Sequence, residues 1–167
     1  ITYSPKFARD LGLNWQELYL AIIDDLGAKN IRIPIYWDQV EASEGQFDFS
    51  QYDYIFDEGA KRDVKFIANI GWRLPRWPEC HNPSWIDKND KEKIEPRIIF
   101  LLKQIITRYK NRPEIVAWQV ENEPLFDWFG ECPKGDRDFL EQEVALVKSL
   151  DSRPVIISAS GELSTWR

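Results

Sequence analysis

The segment AWQVENEPLF, residues 117–126, sets Glu121, Asn122 and Glu123 in succession at the end of an apolar run. Ala117, Trp118 and Val120 suit a half-buried strand, and Pro124 ends regular pairing. Burying carboxylates and an amide without partners costs about 2–7 kcal/mol each, so a purely structural strand would avoid this ending. A carboxyl set in a partly apolar pocket can hold and release a proton for general acid–base work. An amide beside it offers both a donor and an acceptor. Glu123 and Asn122 are the candidates for those two tasks. Glu121 shares strand parity with Glu123 and is expected to point beneath it, with Arg32 as its partner. Arg32 can instead hold Glu123 by charge-assisted bonds.

Other chemistries have thinner material. His81 is the sole histidine, and no G-x-S-x-G accompanies it, which argues against Ser-His-Asp catalysis. Cys80, His81 and Cys132 leave three states open: a disulfide, two free thiols, or a metal trio lacking the close Cys-x-x-Cys pair of most zinc sites. The net charge is −6 with 22 basic and 28 acidic residues interspersed, so no basic stripe points to nucleic acid. No apolar run is long enough to cross a bilayer. The chain opens on Ile1 rather than Met and carries no signal-like segment, so residues are expected upstream.

Short apolar runs alternating with amphipathic stretches must position these groups. ITY (1–3) reads as the tail of a strand. Asn14 and Glu17 form a capping pattern for a helix carrying Leu18, Ile22 and Leu26, ended by Gly27. IRIPIYW (31–37), VKFIANI (64–70), EIVAWQVE (114–121) and RPVIIS (153–158) read as strands. Between them Ser50 is expected to cap a helix bearing Tyr52, Ile55, Phe56 and Ala60. Pro96 suits the first turn of a helix reaching about Tyr109, and Asp136 opens one reaching about Leu150. This βαβ alternation predicts a parallel sheet, either doubly wound or closed into a barrel. The absence of a Gly-rich phosphate loop weakens a dinucleotide site. In both closures function gathers at the carboxyl ends of the strands.

The NEP of residues 122–124 resembles clan A of the glycoside hydrolases, the retaining (β/α)8-barrel enzymes, in which an Asn-Glu pair ends a strand. RIP (32–34) is similar to an arginine motif of family 5. YWDQVEASEGQFDFSQYD (36–53) is similar to a segment shared by family 5 and the β-galactosidases of families 35 and 42. The resemblance covers essentially the whole chain. It implies an α/β TIM barrel, incomplete here with about five strands, since a full barrel takes about 250 residues. Residues 1–167 are thus expected to be one partial catalytic barrel, truncated at both ends.

The resemblance further implies that Glu123 serves as acid/base and that Asn122 contacts the sugar. Sugar C–H faces pack on indoles, so Trp37, Trp72, Trp77 and Trp128 become candidate substrate contacts, with core packing as the plain alternative for each. Arg73 becomes a donor to hydroxyls, and Glu162 a residue that could face the pocket without standing at the nucleophile position. Arg32 is placed among the substrate-site residues, with a structural ion pair as its alternative.

The expected parent is a β-glycosidase with a carbohydrate substrate, no cofactor and no metal, its nucleophile outside this chain. Two rivals stay open: a non-catalytic glycan-binding barrel, and a half-barrel that associates with itself through open edges. The compartment is undetermined, with a secreted or cell-envelope setting favoured.

Overall fold

The computed structural model describes residues 1–160. Four strands form one parallel sheet in the order β1 (Asn30–Pro34), β2 (Lys65–Ile70), β3 (Ile115–Val120) and β4 (Val155–Ile156). Spatial order follows chain order, with no reversal of the kind that makes a doubly wound crevice. That progression is the one a barrel requires. The helices are α1 (Pro5–Asp10), α2 (Trp15–Asp24), α3 (Trp37–Val40), α4 (Ser50–Ala60), α5 (Lys91–Tyr109) and α6 (Arg137–Leu150).

Strand alternation sorts the two faces of the sheet. Ile31 and Ile33 pair with Phe66 and Ala68, and Ala68 in turn pairs with Trp118. All five are buried in one apolar cluster. The cluster also takes Ile94, Ile98, Leu101, Leu102, Ile105 and Ile106 of α5, spaced by three and four as a single helical face demands. Each fully buried aliphatic side chain contributes about 1.5–3 kcal/mol. The opposite face bears Arg32, Ile67, Asn69, Ala117 and Gln119, and is the inner face of the barrel wall.

Four local expectations are adjusted: two strands are shorter than expected and two helix starts differ. The ITY segment makes only an isolated bridge, Thr2 to Arg32, while RPVIIS supplies a two-residue strand paired with Trp118 and Gln119. Pro154 has no N–H to extend that ladder. Ser50 does not cap α4; Phe49 is its N-cap residue, and Asp48 Oδ1 accepts from the Ser50 N–H instead. Helix α5 starts five residues before Pro96, capped by Asp90. Pro96 therefore lies inside α5 and supplies no N–H to the carbonyl of Glu92, an exposed residue whose oxygen can turn to water. By contrast, Asn14 caps α2 through the N–H groups of Gln16 and Glu17, as its spacing predicts.

Candidate active site

The candidate site is built where β1, β2 and β3 end. Strand β3 stops at Val120 because the next residues leave extended geometry: Glu121 has φ +58° and Glu123 φ +49°. Strand parity therefore fails at Glu121, whose carboxylate turns away from Arg32. It accepts the backbone N–H groups of Trp72 and Arg73 and a hydrogen bond from Glu143 of α6. Gly71 allows this approach, since a β-carbon there would lie 2.2 Å from Glu121 Oε1. Burial pushes both carboxyls up, and the neighbouring Glu121 charge drives Glu143 well above the usual range. Glu143 thus keeps its proton and donates it to Glu121.

With Glu121 turned aside, Asn122 reaches the inner face. Arg32 Nη2 donates to Asn69 Oδ1 and to Asn122 Oδ1, 2.8 Å each. The Asn69 amide nitrogen donates to the carbonyls of Gln119 and Glu121, fixing this layer. Because Arg32 holds the oxygen of Asn122, the amide nitrogen is left free to donate. Arg32 therefore orients the amide of Asn122 rather than pairing with Glu121. Burial lowers the guanidinium of Arg32, while the charges of Tyr36 and Glu123 favour its protonated form.

Glu123 is half-buried, and its backbone is tied from three sides. Its N–H donates to Ser158 Oγ at 3.1 Å, and its carbonyl accepts from the Phe126 N–H at 2.9 Å and from Arg73 Nη1 at 3.4 Å. Arg73 is itself buried and also donates to the carbonyls of Phe126 and Phe129. Its donors shape the loop after β3, which leaves Arg73 a loop organiser rather than a hydroxyl donor.

The tryptophans divide by exposure. Trp37 is 1 % exposed; its indole N–H donates to Glu41, and its ring packs edge-on against Trp85. It has no free face for a sugar, which corrects its place among the substrate contacts. Trp72 is largely buried beside the site, donating to Asn82 Oδ1 at 2.6 Å. Trp77 and Trp128 are 57 % and 81 % exposed, on the loops after β2 and β3. Trp77 meets half-exposed Phe129 edge-on at 5.8 Å. Glu162 lies outside the described residues.

Cys80 and Cys132 form a disulfide with α-carbons 5.3 Å apart, joining those two loops. The thiols are thereby spent, and the trio with His81 does not form. Among the described residues no group of three His, Cys, Asp or Glu side chains could hold a metal. His81 instead packs at a tilt against Tyr36 and bonds the Arg76 carbonyl. Burial depresses its imidazole to about 4, so it is neutral near neutral pH.

Sequence reasoning missed Glu79 and Glu143. Neither sits in a motif; both reach the site through the tertiary fold, Glu79 from the loop after β2 and Glu143 from the buried face of α6.

Residues 8–161 match the family model "Cellulase (glycosyl hydrolase family 5)". Endoglucanase H of Acetivibrio thermocellus is 27 % identical over 155 residues, covering 90 % of this chain and 16 % of that protein. The β-galactosidase BgaA of Clostridium cellulovorans is 20 % identical over 173 residues, covering 87 % of this chain and 25 % of that protein. Among solved structures, GH5_18 of Streptomyces cattleya with GlcNAc superposes with a TM-score of 0.71 at 14 % identity. That match covers 95 % of this chain and 43 % of the other. The chain thus spans a quarter or less of these two relatives and under half of the solved enzyme. The strand order, the strand-end pair Asn122–Glu123 and a family match over nearly the whole length converge: the chain belongs to the cellulase family, glycosyl hydrolase family 5, as part of a TIM barrel.

Proposed function

We propose that this chain carries the acid/base half of a retaining glycosidase site acting on a β-linked glycan. One observation carries the reading: Glu123 ends a barrel strand beside an Asn122 whose amide is oriented by Arg32. Glu123 would protonate the departing glycosidic oxygen and then remove a proton from the water that releases the sugar. Asn122 stands next to it to meet a hydroxyl. Trp77, Trp128 and Phe129 present apolar ring faces beside the cleft, where sugar rings can stack. Trp72 closes the cleft wall.

Retention also requires a nucleophilic carboxylate about 5–5.5 Å from the acid/base. Among the described residues Glu121 is turned to α6 and Glu79 is buried, so neither can attack a sugar from the opposite face. By the resemblance to clan A, the nucleophile is expected on a later strand of the barrel, beyond the described residues.

Glu123→Gln in the full-length protein tests the reading. The amide keeps the shape and removes the proton, which should slow hydrolysis of a natural β-glycan by about 10²–10⁴-fold. The glycosylation step should be spared for an aryl glycoside whose leaving group needs no proton. A variant that hydrolyses both substrates as fast as the parent rules out Glu123 as acid/base. Binding of glycan without turnover by the parent would support the non-catalytic barrel instead.

A further inference from the structure

Ser158 lies two residues past Ile156, which pairs with Gln119 across β3 and β4. A period of two returns its side chain to the inner face that Gln119 occupies. There its Oγ accepts two hydrogen bonds, from the Glu123 N–H and from Gln119 Nε2, 3.1 Å each. A hydroxyl oxygen has two acceptor positions, and both are filled.

The bond to Glu123 falls where the backbone needs one. Glu123 has φ +49°, in the left-handed region that disfavours a residue with a β-carbon. Its carbonyl is held by the Phe126 N–H, inside the same turn, and by Arg73 at 3.4 Å, a long contact. Ser158 is the group that reaches the Glu123 N–H from the neighbouring strand. The backbone of Glu123 sets which rotamers its carboxyl can take, so an anchor on its N–H governs where that carboxyl points.

Gln119 carries the tie further. Its Nε2 also donates to the Glu121 carbonyl at 2.9 Å, and the same carbonyl accepts from Asn69 Nδ2 at 3.0 Å. Asn69 Oδ1 accepts from the Arg32 guanidinium that holds Asn122. Ser158, Gln119, Asn69 and Arg32 thus form one hydrogen-bonded layer beneath the strand end, with Glu123 on one side and Asn122 on the other. Gln119 and Asn69 are buried, and a buried polar network with its partners in place is rigid.

We propose that Ser158 is a positioning residue for the acid/base: its hydroxyl oxygen fixes the left-handed backbone of Glu123 against β4 and so aims the carboxyl at the departing glycosidic oxygen. This rests on the reading of Glu123 as acid/base. The part played by Ser158 is indirect, so its loss should be felt where a proton must be delivered and not where the leaving group departs unaided.

Two measurements on the full-length protein test the proposal. The first reads the bond itself. Amide hydrogen exchange at Glu123 should quicken on the order of tenfold in Ser158→Ala, while Ser158→Thr, which keeps a hydroxyl, should exchange near the parent rate. Unchanged protection in the alanine variant overturns the proposal. The second reads leaving-group dependence, with a β-linked oligosaccharide that the parent hydrolyses and the dinitrophenyl glycoside of the same sugar. In Ser158→Ala, kcat/KM should fall about tenfold for the oligosaccharide and stay near the parent value for the dinitrophenyl glycoside. Ser158→Thr should restore the oligosaccharide value. An equal fall on both substrates, the mark of a general structural defect, overturns the proposal, and so does no fall on either. If Ser158→Ala does not fold, Ser158→Cys, whose sulfur is a weak acceptor, is compared with Ser158→Thr in the same two measurements. Glu123→Gln, run alongside, separates this inference from the reading it rests on. If that variant is as fast as the parent on both substrates, the acid/base reading fails and the role of Ser158 falls with it. If it slows on the oligosaccharide alone while Ser158→Ala does not, only the role of Ser158 fails.

Discussion

Glu121 and Glu123 both take left-handed backbone conformations, which cost about 1–2 kcal/mol each for a residue with a β-carbon. The surroundings hold them there: Glu121 N–H on the Ile70 carbonyl, Asn122 N–H on the Arg73 carbonyl, and Glu123 N–H on Ser158. The strain has a consequence at the site. It turns Glu121 outward to Glu143 and brings Asn122 inward to Arg32. Exposure likewise separates the tryptophans into two kinds, and substitution should follow that division. Trp37→Phe leaves an oxygen of buried Glu41 without its indole donor, costing about 1–3 kcal/mol of stability. It should leave KM for a glycan unchanged in the full-length protein. Trp128→Ala should do the reverse, raising KM several-fold while shifting stability by no more than about 0.5 kcal/mol. Thermal unfolding and steady-state kinetics on the two variants check this; a KM effect confined to Trp37→Phe would refute the assignment.

At the scale of elements, the loops after β2 and β3 are joined by Cys80–Cys132 across 52 residues of sequence. Closing a loop of that length stabilises by about 4 kcal/mol in the chain-entropy model. Denatured, unreduced protein should show no titratable thiol from this pair, and reduction should lower the unfolding temperature. Two titratable thiols would rule the bridge out. Helix α6 offers a second test, through its protonated Glu143 on Glu121. An acid whose proton affinity is raised by folding binds more protons in the folded state than in the unfolded one. Its contribution is complete below the ordinary carboxylate range and is lost as pH rises through its raised value. Glu143→Gln keeps a donor toward Glu121 and has no proton to lose. The variant should therefore match the parent near pH 5 and become the more stable of the two above neutrality. Unfolding temperatures measured from pH 5 to 9 would contradict this if the two curves stay parallel.

At the scale of the whole molecule, the sheet has four strands among the described residues where a closed barrel has eight. Among the described residues no strand pairs with the outer edge of β4, and Val116, at the register shift between β2 and β3, is 43 % exposed. An open parallel edge is a template for pairing with another chain. Expressed on its own, the 167-residue polypeptide should sediment as an associated species and should not hydrolyse glycosides. A monomer at tens of micromolar would refute the first expectation, and turnover abolished by Glu123→Gln would refute the second.

Much of the wall could be read from the order of residues alone. Apolar runs at 31–37, 64–70 and 114–121 became β1, β2 and β3, because a strand buried against helices needs continuous apolar character. The Asn14 and Asp136 caps acted locally, through N–H groups two or three residues away. The Asn-Glu pair before Pro124 was legible as a strand end with chemistry, since its cost needs a reason. Partner choice was not legible. Parity assigned Glu121 to the barrel interior, yet a left-handed turn and the pocket made by Gly71, Trp72, Arg73 and Glu143 took it the other way. Trp37 and Trp128 are alike as residues after strands, and only the packing of Trp85 over one of them distinguishes core from cleft. Glu79 joined the site through a disulfide-tied loop whose closure depends on residues 52 positions apart. Local spacing carries backbone geometry because hydrogen bonding and burial period are short-range. Which buried charge faces which is settled by contacts between distant segments, and these exist only once the sheet, α6 and the two loops have come together.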